Sequence, residues 1–333
     1  MPPQVQEIQD PVALNMISAC RRSPVTFNLN EAGSSTATEQ MVTVDTAFYG
    51  PSSEQLAAYP SDAPAFVLLH SFDSSCLEFR RLVPLLSTQL PTYAVDLVGW
   101  GFSDVSIFAD DPSILIQPAA KRNHLAAFIQ QQLGDRPLIL VGASVGGAVA
   151  IDFTLAFPKA VTGLVLIDAQ GFIDGLGMMP KMPRFLAEWG VQLLKTEGLR
   201  VRANDLAYQD KATFATTDAM RVGRLHTFQR GWAEANVAFI RGGGYSLSKR
   251  ISEVTKRTLV LWGRQDRILV PETADRFRTT LPNNKLTWVE QCGHSPHIEQ
   301  AEFTAAQLME FVVSLQASGE NSGTTAQPQA LAL

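Results

Sequence analysis

A serine flanked by glycines stands between an apolar run and a stretch of small residues, and this order strongly constrains the fold. Residues 138–141 read Leu-Ile-Leu-Val, residues 142–146 read Gly-Ala-Ser-Val-Gly, and residues 147–151 continue as small and apolar residues. The pattern predicts a strand, a tight turn and a helix. Such a turn, which we call the elbow, needs small neighbours, and its strain pushes the serine hydroxyl out of the sheet. We therefore predict that Ser144 is a nucleophile, and that the N-terminus of the following helix favours negative charge beside it.

The composition is that of an ordinary globular protein. The chain has 333 residues, of which 46% are hydrophobic and 18% charged, and its formal net charge is -5. The acidic balance gives no support for nucleic-acid binding. Apolar runs are too short for an integral membrane segment, and residues 1–10 lack the pattern of a secretory signal. The three cysteines, Cys20, Cys76 and Cys292, are odd in number and widely spaced. We expect no disulfide framework and a cytoplasmic location.

Short apolar runs alternate with helical patterns along most of the chain. Helical stripes include Leu125, Phe128, Ile129 and Leu133. A second stripe lies in residues 308–315. The central strands are apolar on both faces, which is typical of parallel strands covered by helices. The sequence therefore predicts an α/β fold with a mostly parallel central sheet. Predicted strands are 65–69, 92–97, 138–141, 163–167, 258–262 and 285–289.

The alternation breaks once, and the break sets the predicted domain boundaries. From residue 172 to residue 254 there are helical stripes but no convincing strand, as in Leu186, Trp189 and Leu193, and again in Trp232, Ala235 and Phe239. We interpret 172–254 as a helical cap; the alternative is an ordinary run of crossover helices. The α/β core would be 41–171 and 255–316. We expect residues 1–40 to form an extension of uncertain structure that is flexible at 33–36. We expect residues 317–333 to form a disordered tail.

A serine hydroxyl needs a base, and the base needs an orienting acid. His294 follows the last predicted strand, and Gly293 before it favours a sharp loop. His297 is the alternative base. Asp266 also follows a strand, and it gives the chain order Ser, Asp, His that is expected with this elbow. Asp168 is a second acid at a strand end that could orient the histidine.

Other interpretations of these residues remain open. Asp266 could simply pair with Arg264 or Arg267. We expect His70 to hold its loop by hydrogen bonds, because its position in the chain order is wrong for the base. Cys292 is expected to be a packing residue.

An oxyanion hole needs two N–H donors. One is expected from Val145, the residue after the nucleophile, and the other from Phe72, in the loop after the first core strand.

Together these pieces resemble the α/β-hydrolase superfamily, in its lid-bearing branch of esterases, epoxide hydrolases, dehalogenases and carbon–carbon hydrolases. The resemblance runs from His70 to Gln300 and includes the segments 70–72, 96–104, 142–146, 262–266 and 293–299. It implies an α/β-hydrolase fold with an inserted lid. The family usually has glycine after His70, where this chain has Ser71. Dehalogenases and epoxide hydrolases of the superfamily use an aspartate nucleophile, which the serine argues against.

The resulting prediction is a serine hydrolase that needs no metal or organic cofactor and acts on a small apolar molecule. Lid residues such as Met178, Met179, Phe185, Trp189 and Trp232 suggest an ester with an apolar acyl or alkyl part. Trp189 and Trp232 are the candidate substrate contacts. One alternative is a carbon–carbon hydrolase of a diketone, since such enzymes carry a segment like Trp262–Arg267. The other is a ligand receptor on a hydrolase scaffold. The oligomeric state stays open.

Overall fold

The computed structural model describes residues 1–30 and 39–320, with side chains described through residue 317. Within these ranges one sheet of eight strands runs through the molecule, in the order β1-β2-β4-β3-β5-β6-β7-β8. The pairs β1–β2 and β2–β4 are antiparallel, and the other pairs are parallel. The strands are β1 Arg21–Asn28, β2 Met41–Tyr49, β3 Ala65–Leu69, β4 Thr92–Val95, β5 Leu138–Ala143, β6 Val161–Ile167, β7 Thr258–Gly263 and β8 Asn284–Val289.

Helices connect the strands and cover both faces of the sheet. In the described ranges they are α1 Pro11–Ala19, α2 Ser53–Ala57, α3 Val83–Ser87, α4 Ser106–Asp110, α5 Pro118–Leu133, α6 Val145–Ala156, α7 Arg184–Leu194, α8 Glu197–Ala207, α9 Lys211–Phe214, α10 Thr217–Arg224, α11 Trp232–Arg241, α12 Glu272–Thr280, α13 Pro296–Glu299 and α14 Ala301–Glu320. None of these helices combines the length and the apolar composition needed to cross a bilayer.

All six predicted strands are present, and the mostly parallel sheet is confirmed. Successive side chains of β3 point to opposite faces, as the two-residue period of a strand requires. Val67 and Leu69 pack into the core on one face of the sheet. Phe66 and Leu68 pack into the core on the other face. Burial on both faces explains why these strands are uninterrupted apolar runs.

The sequence analysis did not predict β1 and β2, the two strands at one edge of the sheet. In β1 buried and exposed residues alternate, and the strand contains Pro24. Such a strand lacks the apolar run that identified the others, and proline is tolerated at a sheet edge. The sheet therefore begins at Arg21, inside the segment that the sequence assigned to an uncertain extension. The predicted flexible residues 33–36 lie outside the described ranges.

The predicted tail is described only at its start. The helix α14 continues to Glu320, so residues 317–320 are helical. The remainder of the predicted tail, 321–333, lies outside the described residues.

Between β6 and β7 the chain forms the helices α7 to α11 and no strand. We call residues 172–254 the cap. The apolar stripe of α11 is buried, as its helical spacing predicted. The stripe of α7 is not: Trp189 is 66% exposed, and Leu186 and Leu193 are each 42% exposed. The small residues Ala187 and Val191 pack inward instead, so α7 turns its large apolar side chains outward.

Candidate active site

Ser144 lies in a strained turn between β5 and α6. Its φ of 50° and ψ of −118° place it in a region that side-chain-bearing residues rarely adopt. The backbone N–H of Ser144 donates to the carbonyl oxygen of Ile167 at 3.0 Å, and its own carbonyl accepts from the N–H of Gln170 at 2.8 Å. The turn is thus fixed to the carboxyl end of the neighbouring strand β6. Strain that is held in place by its surroundings is typical of functional positions.

The glycines on either side of the serine are required by close backbone approaches. A Cβ atom on Gly142 would lie 2.3 Å from the carbonyl oxygen of Gly146. A Cβ atom on Gly146 would lie 2.2 Å from the carbonyl oxygen of Leu69. Both distances are far below a normal contact, so no larger residue fits at either position without moving the backbone.

Asp266 and His294 form a hydrogen-bonded pair. Nδ1 of His294 lies 2.7 Å from Oδ2 of Asp266, and both residues are buried. The other carboxylate oxygen accepts from the N–H groups of Ile268, at 2.7 Å, and Leu269, at 3.0 Å. The carboxylate is therefore fixed by its own loop, and its bond to Nδ1 leaves Nε2 as the ring nitrogen that can take a proton.

Asp168 lies beside this pair without orienting the imidazole. Its Oδ1 accepts from the N–H of Gly263 at 2.9 Å. One atom each of Asp168, Asp266 and His294 lies within 4.8 Å of the others. Burial, and then the nearby charge of Asp266, raise the pKa of the Asp168 carboxyl well above its usual value. These residue types could also ligate a metal, but the Asp266 oxygens are already bonded to His294 and to backbone N–H groups.

The loop that carries His294 is joined to the cap by Glu299. Oε1 of Glu299 accepts from the N–H of Gly293 at 2.7 Å. Oε2 accepts from the N–H groups of Gln209, at 2.7 Å, and Asp210, at 2.9 Å. A single carboxylate thus holds the histidine loop against the segment of the cap between α8 and α9.

Gly293 permits this close contact. The N–H of His294 donates to the carbonyl oxygen of Ala207 at 2.6 Å. A Cβ atom on Gly293 would lie 2.2 Å from that same oxygen. The glycine that sequence analysis connected with a sharp loop is needed because the cap backbone passes directly over it.

The other candidate bases already have structural partners. Nε2 of His297 lies 3.0 Å from a carboxylate oxygen of Glu78. In His70, Nδ1 lies 2.8 Å from the carbonyl oxygen of Ser71, and Nε2 accepts from the N–H of Leu97 at 3.2 Å. Burial lowers the pKa of His70 to about 4. His70 therefore holds its loop, as predicted.

The loop after β3 begins beside the elbow, since a Cβ atom on Gly146 would meet the carbonyl oxygens of Leu69 and His70. Both the N–H and the hydroxyl of Ser71 donate to Glu78, at 3.1 and 2.7 Å. The serine at the usual glycine position thus adds a hydrogen bond that braces the loop. Among the described residues no backbone carbonyl accepts from the N–H of Phe72. Val145 is the first residue of α6, so its N–H has no partner within the helix.

Asp73, which sequence analysis missed, anchors the cap to this loop. Its Oδ1 accepts from the indole N–H of Trp232 at 2.7 Å and from the amide of Asn236 at 3.1 Å. The same oxygen lies 3.1 Å from Nε2 of His226, and Oδ2 pairs with Arg200. Burial alone would raise the pKa of this carboxyl, but His226 and Arg200 outweigh it and lower the pKa to about 2. Asp73 is thus a buried carboxylate that is held ionised by four cap residues.

An apolar cavity of about 680 Å³ separates the cap from the elbow. Phe72 and Val145 form part of its wall, and no charged side chain lines it. Of the two candidate substrate contacts, Trp189 lines the cavity, whereas Trp232 does not, because its side chain is buried in the cap with its N–H on Asp73. The cap residues lining the cavity include Ile173, Leu176, Met179, Met182, Leu186, Val191, Leu194, Phe239, Ile240 and Tyr245.

A smaller and more polar cavity lies on the other side of Phe72. Its volume is about 190 Å³, and His294 is in its wall together with Arg80, Arg200 and Ser74. Phe72 therefore borders both cavities. A ligand that spans them would pass Phe72.

Two further residues have structural roles. Cys292 is fully buried, with its sulfur 3.7 Å from Oε1 of Glu299, and burial raises the pKa of its thiol. Asp96 accepts from the N–H groups of Cys76 and Phe102, each at 2.5 Å, and stabilises the turn that contains them. Neither group points to a second reactive centre.

Comparison with known proteins gives the family. Residues 66–307 match the model of the Alpha/beta hydrolase family. The chain is 35% identical over 312 residues to the alpha/beta hydrolase domain-containing protein VTE7 of Arabidopsis thaliana, covering 93% of this chain and 89% of that protein. It is 26% identical to a 2-hydroxy-6-oxo-6-(2'-aminophenyl)hexa-2,4-dienoic acid hydrolase of Metapseudomonas resinovorans, over 70% of this chain and 78% of the relative.

A solved structure shares the same fold. A thermophilic esterase from Thermogutta terrifontis superposes with a TM-score of 0.67 at 20% identity, covering 89% of this chain and 99% of the esterase. The sheet order, the elbow and these likenesses agree with the resemblance that the sequence motifs carried. This chain belongs to the Alpha/beta hydrolase family.

Proposed function

We propose that this protein is a serine hydrolase that cleaves carboxylic esters with a large apolar part. Ser144 is the nucleophile, His294 the base and Asp266 the acid that orients it. The Asp266–His294 hydrogen bond of 2.7 Å is the observation that carries the proposal. The strands β5, β6, β7 and β8 are parallel neighbours, and these residues follow three of them. The carboxyl ends of such strands are where ligands bind in open α/β sheets.

In the proposed reaction Nε2 of His294 takes the hydroxyl proton as Ser144 attacks the carbonyl carbon of the ester. The N–H groups of Phe72 and Val145 stabilise the oxyanion. The tetrahedral adduct collapses, and the alcohol leaves with the proton from His294. Water, deprotonated by the same nitrogen, then attacks the acyl-serine and releases the acid. The imidazole bonds to Asp266 and not to Ser144, and such catalytic bonds often tighten only when substrate binds.

The apolar cavity supports an ester with a bulky hydrocarbon part. Its volume of about 680 Å³ falls within the usual range for small-molecule sites, and Phe72 and Val145 border it. The smaller cavity beside His294 would take the other, more polar side of the ester.

A carbon–carbon hydrolase is the second candidate, favoured by the Metapseudomonas relative. The name of that relative's substrate includes a carboxylic acid. A carboxylate entering the large cavity would meet no arginine or lysine, since its wall has no charged side chain. In the smaller cavity the carboxylate would meet Arg80 and Arg200, but these side chains already pair with Asp10 and Asp73. The charges of both cavities therefore favour an ester over an anionic diketone.

Hydrolysis of p-nitrophenyl esters of increasing chain length tests the proposal. We expect kcat/KM to rise with acyl length, and Ser144→Ala to lower it by about 10⁴- to 10⁶-fold. Ser113→Ala, at an exposed serine outside the site, is the matched control and should have wild-type activity. Equal activity of Ser144→Ala and wild type would contradict the proposal.

Covalent labelling tests the nucleophile separately. A fluorophosphonate should label Ser144 in the wild type, and Asp266→Asn should slow the labelling because the imidazole loses its orienting carboxylate. Labelling of another residue would show that the elbow has been misread. Faster cleavage of ring-fission diketones than of esters would favour the carbon–carbon reaction. A single slow turnover with a change of shape would favour a receptor.

A further inference from the structure

The outer face of the cap carries large apolar side chains without partners. On α7, Phe185, Trp189 and Leu193 are spaced four residues apart and therefore share one face of the helix. Phe185 is 67% and Trp189 is 66% exposed. Met178, just before the helix, is 76% exposed. We call Met178, Phe185, Trp189 and Leu193 the cap face. An apolar patch of this kind marks an interaction surface more often than a chance exposure.

The cap face is continuous with the wall of the large cavity. Trp189 belongs to both, since it is exposed and also lines the cavity. Ile173, Met179 and Leu186 are likewise partly exposed and line the cavity. The cap face and the wall of the cavity thus belong to one segment of the cap and share Trp189. Whatever covers the cap face therefore contacts a residue that also lines the proposed substrate space.

The segment that carries the cap face has a positive net charge, whereas the net charge of the whole chain is negative. Residues 178–195 contain three basic residues, Lys181, Arg184 and Lys195, and one acid, Glu188, whereas the full chain has a net charge of -5. Arg184 pairs with Glu188 at 2.6 Å, and Lys181 is exposed. Tryptophan, phenylalanine and leucine on one face of a helix with flanking lysine and arginine are typical of helices that lie in a membrane interface.

We propose that the cap face docks on the surface of a lipid bilayer that contains anionic lipid, with α7 lying in the interface. Docking would bring the cavity to the hydrocarbon region, so that an apolar substrate reaches Ser144 without crossing water. This proposal extends the proposed function to the place where the substrate is taken up. Its test measures binding and not turnover, so that the two proposals can fail separately.

The experiment uses flotation with vesicles of phosphatidylcholine and phosphatidylglycerol at a 7:3 ratio. All proteins carry Ser144→Ala, so the lipid is not consumed. The cap variant combines Met178→Gln, Phe185→Gln and Leu193→Gln, none of which lines either cavity.

A control variant replaces three other exposed apolar side chains by glutamine elsewhere on the surface. It combines Met41→Gln, Phe303→Gln and Val313→Gln, whose side chains are also exposed. We expect the parent and control proteins to bind the vesicles, and the cap variant to bind at least tenfold more weakly. Vesicles of phosphatidylcholine alone should bind the parent several-fold more weakly, because they lack the attraction to Lys181 and its neighbours.

Tryptophan fluorescence locates the contact. Of the five tryptophans, Trp189 is 66% exposed, whereas Trp100, Trp232 and Trp262 are at most 4% exposed. The fifth, Trp288, is half-buried on β8, with the guanidinium of Arg264 over its ring. Vesicles with brominated acyl chains should therefore quench the parent, and Trp189→Phe should remove most of that quenching. In a Ser144 background, the cap variant should hydrolyse a short water-soluble ester as the wild type does.

Three results would overturn the docking proposal. The first is that the parent protein does not bind the vesicles. The second is that the cap variant binds as tightly as the control. The third is that the parent sediments as a dimer that the cap variant dissociates, which would assign the cap face to a second copy of the chain.

Discussion

Replacing Asp73 by asparagine should loosen the cap and lower the stability of the whole protein. The side chain is 3% exposed and accepts from Trp232 and Asn236, while His226 and Arg200 complete its surroundings. Asparagine keeps the shape and one acceptor oxygen but removes the charge. It also turns an N–H₂ group toward donors that need an acceptor.

The structure gives the size of the effect in two ways. Lowering the pKa of Asp73 from 3.8 to about 2 means that folding favours the charged form by roughly 2 kcal/mol. Breaking a buried ion pair on one side typically costs about 3–5 kcal/mol. We therefore expect Asp73→Asn to lower the free energy of unfolding by about 2–4 kcal/mol.

Urea unfolding followed by circular dichroism measures this change. The control is Asp110→Asn, which also removes an arginine partner, but from the exposed pair with Arg230. That control should leave the unfolding free energy unchanged within error, because exposed ion pairs contribute little. If Asp73→Asn and the control unfold at the same urea concentration, the Asp73 carboxylate does not hold the cap.

The same carboxylate gives a pH dependence of defined sign. Its folded pKa lies below its unfolded value, so its stabilisation is complete above about pH 4 and is lost as the pH falls toward 2. At pH 3 about half of it should be gone. The difference between wild type and Asp73→Asn should therefore shrink from pH 7 to pH 3. A constant difference would contradict an ionised Asp73.

Three further changes test other parts of the site. Gly293→Ala should lower kcat by at least tenfold, because its Cβ would lie 2.2 Å from the carbonyl oxygen of Ala207 and displace the loop of His294. Wild-type kinetics would show that this close contact does not position the loop. Asp168→Asn should keep most of the proposed esterase activity, because burial already favours the neutral acid. Strong loss would show that Asp168 acts as an anion. The oxidant diamide should form a disulfide between Cys20 and Cys76, whose sulfurs lie 3.6 Å apart. Mass spectrometry should detect the loss of two hydrogen atoms, and an unchanged mass would exclude the disulfide.

Features that depend on neighbours in the sequence were predictable. The elbow could be recognised because the glycines that permit it lie within two residues of Ser144, and the structure shows the close approaches that require them. The six buried strands could be recognised because parallel strands covered on both faces are uninterrupted apolar runs. The Asp266–His294 pair followed from chain order and from two strand ends, and the two side chains are hydrogen bonded.

Features that depend on distant partners or on facing direction were not predictable. Asp73 lies 127 residues from Arg200 and 163 from Asn236, and nothing in its local sequence indicates either contact. Helical spacing placed Leu186 and Trp189 on one face of α7 but could not say whether that face turns inward. Trp232, like Trp189, belongs to an apolar helical stripe of the cap, yet the Trp232 side chain is buried. The alternation in β1 is equally weak as a local signal.

The positions of two buried carboxylates connect the cap to the chemistry. Asp73 follows Phe72, the proposed oxyanion donor, and binds side chains of the cap. Glu299 binds the loop of His294 and, with its other oxygen, the cap backbone near Gln209. Each loop that would contact the reacting ester is therefore also a point where the cap is attached. A cap displaced by substrate entry, or by contact with a surface, would shift the proposed oxyanion donor and the proposed base together. Exchanging the cap between relatives should therefore alter kcat as well as substrate preference, unless the contacts of Asp73 and of Glu299 with the cap are preserved.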